Sequence, residues 1–297
     1  MFRRIAYFIG LNLILLLSFN IIISLLPVPP GYYGTLLIFY SLAGFGGAFI
    51  SLLFSKKMAV WGMKVKLIKP GESNTQTEEW VLKTVHDISR MANLPKVPDV
   101  GIYQGREVNA FATGPSKSNS LVAVSQGLLD SMTKDEAEAV LAHEVSHIKN
   151  GDMVTMVLLQ GVINTLVMFV ARILADLVIS ALTKDNKGGG FFMRFMLYQA
   201  FAVALGVLGM VVTGAFSRKR EYRADHGAAR LVGNEKMINA LQKLQRVYDP
   251  ESKIPKQEES IAALKISGRF KKSTLAQLIS THPPLEDRIT ALKSRSL

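Results

Sequence analysis

The chain has 297 residues, enough for one large domain or two modest ones. Its hydrophobic fraction of 49% and mean hydropathy of +0.24, beside 20% charged residues, imply apolar blocks separated by charged ones. The absence of cysteine excludes thiol catalysis, disulfides and cysteine-based zinc sites, so any metal must be held by histidines and carboxylates. The net charge of +12 flanks the apolar blocks instead of interleaving with aromatics, so no nucleic-acid partner is expected.

Two uncharged runs come first, Ile5 to Leu26 and Thr35 to Phe54, each about the length a bilayer core requires of a helix. A cleaved signal peptide would have a shorter apolar stretch, followed by a small-x-small site. Arg3 and Arg4 precede the first run, and Lys56, Lys57, Lys64, Lys66 and Lys69 follow the second. That distribution places the N-terminus and the chain after Lys56 in the cytoplasm. Thr77 to Asn93 has helical periodicity, and Val97 to Tyr103, Asn109 to Thr113 and Leu121 to Ser125 read as short strands.

Thr133-Lys134-Asp135-Glu136 reads as a capping box that opens an amphipathic helix, with Asn150-Gly151 as its stop. Met153 to Leu182 and Phe191 to Phe216 are again long and apolar. Arg172 and Asp176, four apart, are expected to pair on one helix face. Two spanning helices are favoured over an embedded hairpin, and either returns the chain to the side it left. A helix from about Ser217 to Val232 follows, stopped by Gly233, and a second starts at Asn234 as N-cap. Asp249 to Ser273 is polar and expected to be mobile, and His282-Pro283-Pro284 opens a last short helix.

The chemistry centres on His143-Glu144-Val145-Ser146-His147. Histidines four apart on a helix lie one above the other, and two imidazoles so placed grip one metal ion. This is the H-E-x-x-H pattern in which the histidines bind zinc and the glutamate is the general base. Catalytic zinc takes three protein ligands and keeps a fourth position open. No further histidine follows closely, Asp152 looks too near along the chain to fold back, and Asp176 and Asp185 fall within or beyond the apolar segments. Glu221 fits best, with Asp225 one turn later accepting the second N–H of a liganding histidine. Taken alone, the stretch from Arg218 to Asp225 is equally consistent with a solvated helix start that pairs its own charges.

In this order the motifs resemble the HtpX family of membrane-bound zinc metalloproteases, relatives of the prenyl-protein endopeptidases and of the mitochondrial protease Oma. The matching pieces are the N-terminal hydrophobic pair, Asn109-Ala110-Phe111-Ala112-Thr113-Gly114, the motif at 143–147 and the second hydrophobic pair. Ser217 to Asp225 and Thr281-His282-Pro283-Pro284 complete the set. The resemblance implies His143, His147 and Glu221 as ligands of one zinc ion per chain, Glu144 as general base and Asp225 as the carboxylate behind a ligand. It further implies Asn109, Phe111, Ala112 and Thr113 as a substrate-facing edge strand, and His282 and Arg288 as oxyanion stabilisers. His86 and His226 match nothing in the family's zinc site and are read as structural.

The expected fold is α+β and mainly helical: an integral membrane protein with four hydrophobic helices and a cytoplasmic gluzincin-like zinc protease domain containing a small antiparallel sheet. Residues 1–55 and 153–217 are the helix pairs, and 56–152 and 218–297 the two parts of the protease domain. The resemblance implies an ATP-independent endopeptidase of the bacterial inner membrane, acting on misfolded or damaged membrane proteins at the cytoplasmic side, where both termini also lie. Its partners are then the membrane and unfolded polypeptides, and self-association and self-cleavage stay open. The competing classes are a membrane-anchored zinc-binding scaffold or chaperone-like binder, and a small transporter built on Arg172, Asp176 and Arg194.

Overall fold

The computed structural model describes residues 31–72, 75–182, 191–248 and 274–294. The first apolar run, 5–26, and the polar stretch 249–273 lie outside the described residues. Three described helices are long and apolar enough to cross a membrane: α1 (Tyr32–Gly62), α5 (Asp152–Leu182) and α6 (Phe191–Val232). The chain divides into two compact units, and all three long helices contribute to both.

The first unit takes its described residues from 31–50, 157–182 and 191–210. Small residues let α1 and α5 touch: a Cβ added at Gly44 would lie 2.6 Å from Thr165 Oγ1 and 2.9 Å from Thr165 N. Such close backbone approach is how helices associate where no water drives them together. Tyr33, Leu37, Phe169 and Ile173 fill the space beside that crossing. Arg172 pairs with Asp176 at 3.0 Å as their spacing predicts, and Arg194 of α6 joins them at 2.6 Å. A carboxylate among apolar helices is costly unless paired, and here two guanidiniums satisfy it.

The second unit contains α2 (Gln76–Met91), α3 (Gln126–Ser131), α4 (Lys134–Asn150), α7 (Asn234–Val247), α8 (Thr274–Ile279) and α9 (Leu285–Lys293). Its sheet has four strands, β1 (Lys66–Ile68), β2 (Asp99–Tyr103), β3 (Ala110–Ser116) and β4 (Asn119–Ser125), in the order β1-β2-β4-β3. The expectation of an antiparallel sheet is corrected. β2 and β4 run parallel, from Asp99 opposite Leu121 to Tyr103 opposite Ser125, whereas β1 and β3 pair antiparallel with their neighbours. The reason is topological: β3 runs out past β4's place and folds back, so β4 slots between β2 and β3. That leaves β3 on an edge.

The β3–β4 connection depends on Gly114, whose φ of +137° is foreign to L side chains. A Cβ there would collide with the Asn119 carbonyl and lie 2.7 Å from Ser120 Cα. Gly114→Ala is therefore expected to destabilise the protein by about 1–3 kcal/mol, read as a lower thermal-unfolding midpoint.

Helix formation follows the sequence signals closely. Thr75 caps α2 by accepting the Glu78 N–H, and Val81, Val85 and Ile88 face the core. Thr133 and Glu136 form the expected capping box on α4, and Gly151 ends it in a left-handed turn at φ 68°. The core joins the inner faces of α2, α4, α7 and α9 to the sheet, through Ile88, Val122, Leu141, Leu244 and Leu292 among others.

Two boundaries differ from expectation. No separate helix begins at Ser217, because α6 continues unbroken from Phe191 to Val232. Hydropathy changes at residue 217, but nothing there breaks a helical backbone. Asn234 is the first residue of α7 and not its cap: Gly233 occupies that position, and the Asn234 amide donates to the Leu292 carbonyl at 3.2 Å.

Candidate active site

Both motif histidines project from one face of α4 with ring centroids 4.6 Å apart and rings nearly perpendicular. Their Nε2 atoms are 3.1 Å apart. Helix α6 passes close by, because Gly227 packs where a Cβ would lie 2.7 Å from Ser146 Oγ. Earlier on α6, Glu221 places Oε2 3.4 Å from His143 Nε2 and Oε1 3.4 Å from His147 Nε2. One donor atom from each of the three residues lies within 4.8 Å of the other two, and all three side chains are buried.

The surroundings orient the donors. His147 Nδ1 is 2.8 Å from Asp152 Oδ2, and His143 Nδ1 lies 2.9 Å from Asp225 Oδ1, off the line of an N–H bond. A carboxylate behind Nδ1 favours the proton there and leaves the Nε2 lone pair facing the cluster centre. Glu221 Oε2 is buried and accepts no aligned hydrogen bond, although His282 Nδ1 is 3.0 Å away. Two imidazole lone pairs and an unsatisfied carboxylate oxygen converging in a buried space fit a cation with nitrogen and oxygen ligands.

Arg288 is fully buried and grips Asp225 with two parallel contacts, Nε to Oδ2 at 2.7 Å and Nη2 to Oδ1 at 2.6 Å. Its Nη1 is 3.7 Å from Glu221 Oε2. The resemblance implies Arg288 as an oxyanion stabiliser, and the structure places its guanidinium against Asp225 and close to Glu221. Arg288→Ala would strand the buried Asp225 charge, and is expected to cost about 3–5 kcal/mol, measured by thermal or denaturant unfolding.

The electrostatics follow from burial and pairing. Burial would push Asp225 up, but Arg288 outweighs it and holds the carboxyl at about 2. Burial pulls the His143 imidazole down, and the Asp225 and Glu221 carboxylates overcome it, raising it to about 9. Burial also opposes the charge on Glu221, yet His282 and His147 keep its carboxyl well below the usual range. For Glu144 burial prevails: the carboxyl is raised, although His143, His147 and the backbone of Ala112 favour its charged form.

The residues expected along the substrate strand divide into two groups. Asn109 is buried, its amide donating to the Tyr103 hydroxyl at 3.1 Å and its N–H to Ser125 Oγ at 3.1 Å. Phe111 is buried against Tyr103. Ala112 and Thr113 are half-buried in the edge strand β3. His282 sits on the loop before α9, and Arg218 Nη1 braces that region through the Leu278 and Ser280 carbonyls at 2.9 and 2.7 Å. His86 and His226 stand outside the His143–His147–Glu221 cluster.

Asp152 is the site residue that sequence reasoning missed. The left-handed turn at Gly151 reverses the chain so sharply that the next side chain returns to His147, while its other oxygen accepts from Arg223 Nη2 at 2.7 Å. The Asn-Gly-Asp run carried that signal, since glycine permits the turn and an acidic residue favours the following helix start.

A His-Glu-x-x-His helix facing a carboxylate on a second helix defines a metallopeptidase, and the chain belongs to peptidase family M48, whose model matches residues 75–296. It is 49% identical over 290 residues to Protease HtpX of Pasteurella multocida (strain Pm70), covering 98% of this chain and 97% of that one. Protease HtpX of Shewanella halifaxensis (strain HAW-EB4) is 46% identical over 295 residues, covering 98% and 99%. The fold is also similar to the crystal structure of S. mikatae Ste24p, with a TM-score of 0.59 and 19% identity. That match covers 86% of this chain and 58% of the other.

Proposed function

We propose that this metallopeptidase is a zinc-dependent, ATP-independent endopeptidase of the bacterial inner membrane that cuts misfolded or damaged membrane proteins on their cytoplasmic side. The observation that carries the reading is the buried convergence of His143, His147 and Glu221 beside Glu144. Those three side chains would hold the ion, and bound zinc would supply Lewis acidity toward water and the scissile carbonyl. Glu144 takes a proton from the attacking water and passes it to the departing amine. Asp225 and Asp152 hold the two imidazoles by their Nδ1 sides, and Arg288 fixes Asp225. His282, in contact with Glu221, is the group proposed beside the developing oxyanion.

The edge strand β3 offers main-chain pairing to an extended peptide, with Ala112 and Thr113 nearest that edge. Such pairing favours extended, unfolded segments, whose backbone groups are free to pair. Lysines and arginines that follow the apolar runs support a cytoplasmic active site. A non-catalytic zinc scaffold is disfavoured, since structural sites close all four positions with protein ligands and this cluster supplies three.

The test is cleavage of a model membrane substrate by detergent-purified protein, with chelation and metal add-back. Turnover should stop on chelation and return with zinc, without ATP. Activity that persists in metal-free protein would sink the reading.

A further inference from the structure

A cavity of about 790 Å³ lies in the unit that carries the metal cluster, lined by α6 and by Ser146, Lys149 and Asn150 of α4. Lys219, Tyr222, Arg223, His226 and Arg230 line it; the steps from Lys219 through either Tyr222 or Arg223 to His226 and Arg230 are three or four residues, so the set forms a stripe along one face of α6. At about 100° per residue, the stripe is directed roughly 140° away from Glu221 and Asp225. Helix α4 adds Lys149.

The lining contains four cationic side chains and no carboxylate. Arg223 is already paired with Asp152 at 2.7 Å. Lys149, Lys219 and Arg230 have no ion-pair partner among the described residues, and all three are exposed. Basic residues that merely follow a membrane span would be scattered around the helix. These converge from two helices on one concavity of a size that suits a small ligand. Like charges gathered without counter-charge repel each other, and an anion bound among them removes that cost.

We propose that this cavity binds a phosphate group, and that the group belongs to the head of an acidic membrane lipid. The source is favoured by position, because Lys219 comes three residues after Phe216, the end of the apolar stretch of α6. Cationic side chains just beyond a membrane span meet anionic headgroups first. The site is independent of the metal reading, and no residue assigned to proton transfer or metal binding lines it.

The experiment measures phosphatidylglycerol binding to the full chain in neutral detergent by native mass spectrometry, with phosphatidylcholine as the neutral control. Inorganic pyrophosphate is added in a separate arm as a soluble competitor. The test variant is Lys219→Gln with Arg230→Gln. Arg223 is left unchanged because its Asp152 contact reaches His147. Each basic residue removed should weaken binding about fivefold, so the pair should lose about 25-fold. A matched variant, Lys57→Gln with Lys64→Gln, removes two exposed lysines outside the cavity and should bind as the parent does. Pyrophosphate that binds with the same sensitivity to Lys219 and Arg230, but without any lipid preference, would keep the phosphate site and overturn its assignment to lipid. Equal binding by the parent and a cavity variant of unchanged thermal stability, or equal loss in the matched variant, would overturn the site itself.

Discussion

Replacing Glu144 with Gln should reduce peptide cleavage by about 10²–10⁴-fold, the range a positioned general base contributes, while zinc stays bound at the parent stoichiometry. The two outcomes separate because Glu144 stands outside the three-residue donor cluster although it is buried beside it. Gln preserves the volume of the side chain and can still meet the Ala112 backbone, but it cannot take a proton from water. The assay needs protein protected from autolysis, with metal content and cleavage measured on the same sample. Parent-level turnover in that variant would remove Glu144 from the mechanism, and lost zinc would mean that it supports the cluster instead.

Glu221→Ala should act at the other end of the chemistry, by releasing the metal. Substitution of a group behind a ligand typically lowers metal affinity 10–100-fold, and loss of a ligand is expected to exceed about 100-fold by the same reasoning. Dialysis against a weak chelator followed by metal analysis measures it. Asp225→Asn provides the internal scale, since Asp225 touches His143 from behind. The expected order of retention is parent, then Asp225→Asn, then Glu221→Ala. Retention of a full equivalent by Glu221→Ala would place the third ligand elsewhere.

Much of the site was legible because its signals are local. The capping box at Thr133 and Glu136 and the stop at Gly151 delimit α4, and a four-residue spacing alone puts His143 and His147 on one face. Glu221 and Asp225 were legible as one turn of one helix. What escaped depends on tertiary placement. Arg288 is separated from Asp225 by 63 positions, and no spacing rule joins them. The parallel pairing of β2 with β4 looks, in sequence, the same as a meander of short strands. Continuity of α6 was hidden because hydropathy reports the surroundings of a helix and not its backbone. Asp152 was set aside on grounds of chain reach, which the left-handed conformation of Gly151 circumvents.

That reversal has a consequence for how this chain tolerates change in length. Helices α4 and α5 are separated by Gly151 alone, and five positions from His147 to Asp152 set the meeting of imidazole and carboxylate. A single inserted residue would swing the start of α5 by about 100° and carry the acid out of register with its ring. Extra residues are ordinarily absorbed by loops, and no loop exists there to absorb one. Between Asn150 and Asp152 the protein keeps a ruler, and tags, fusions or duplicated segments must be placed elsewhere.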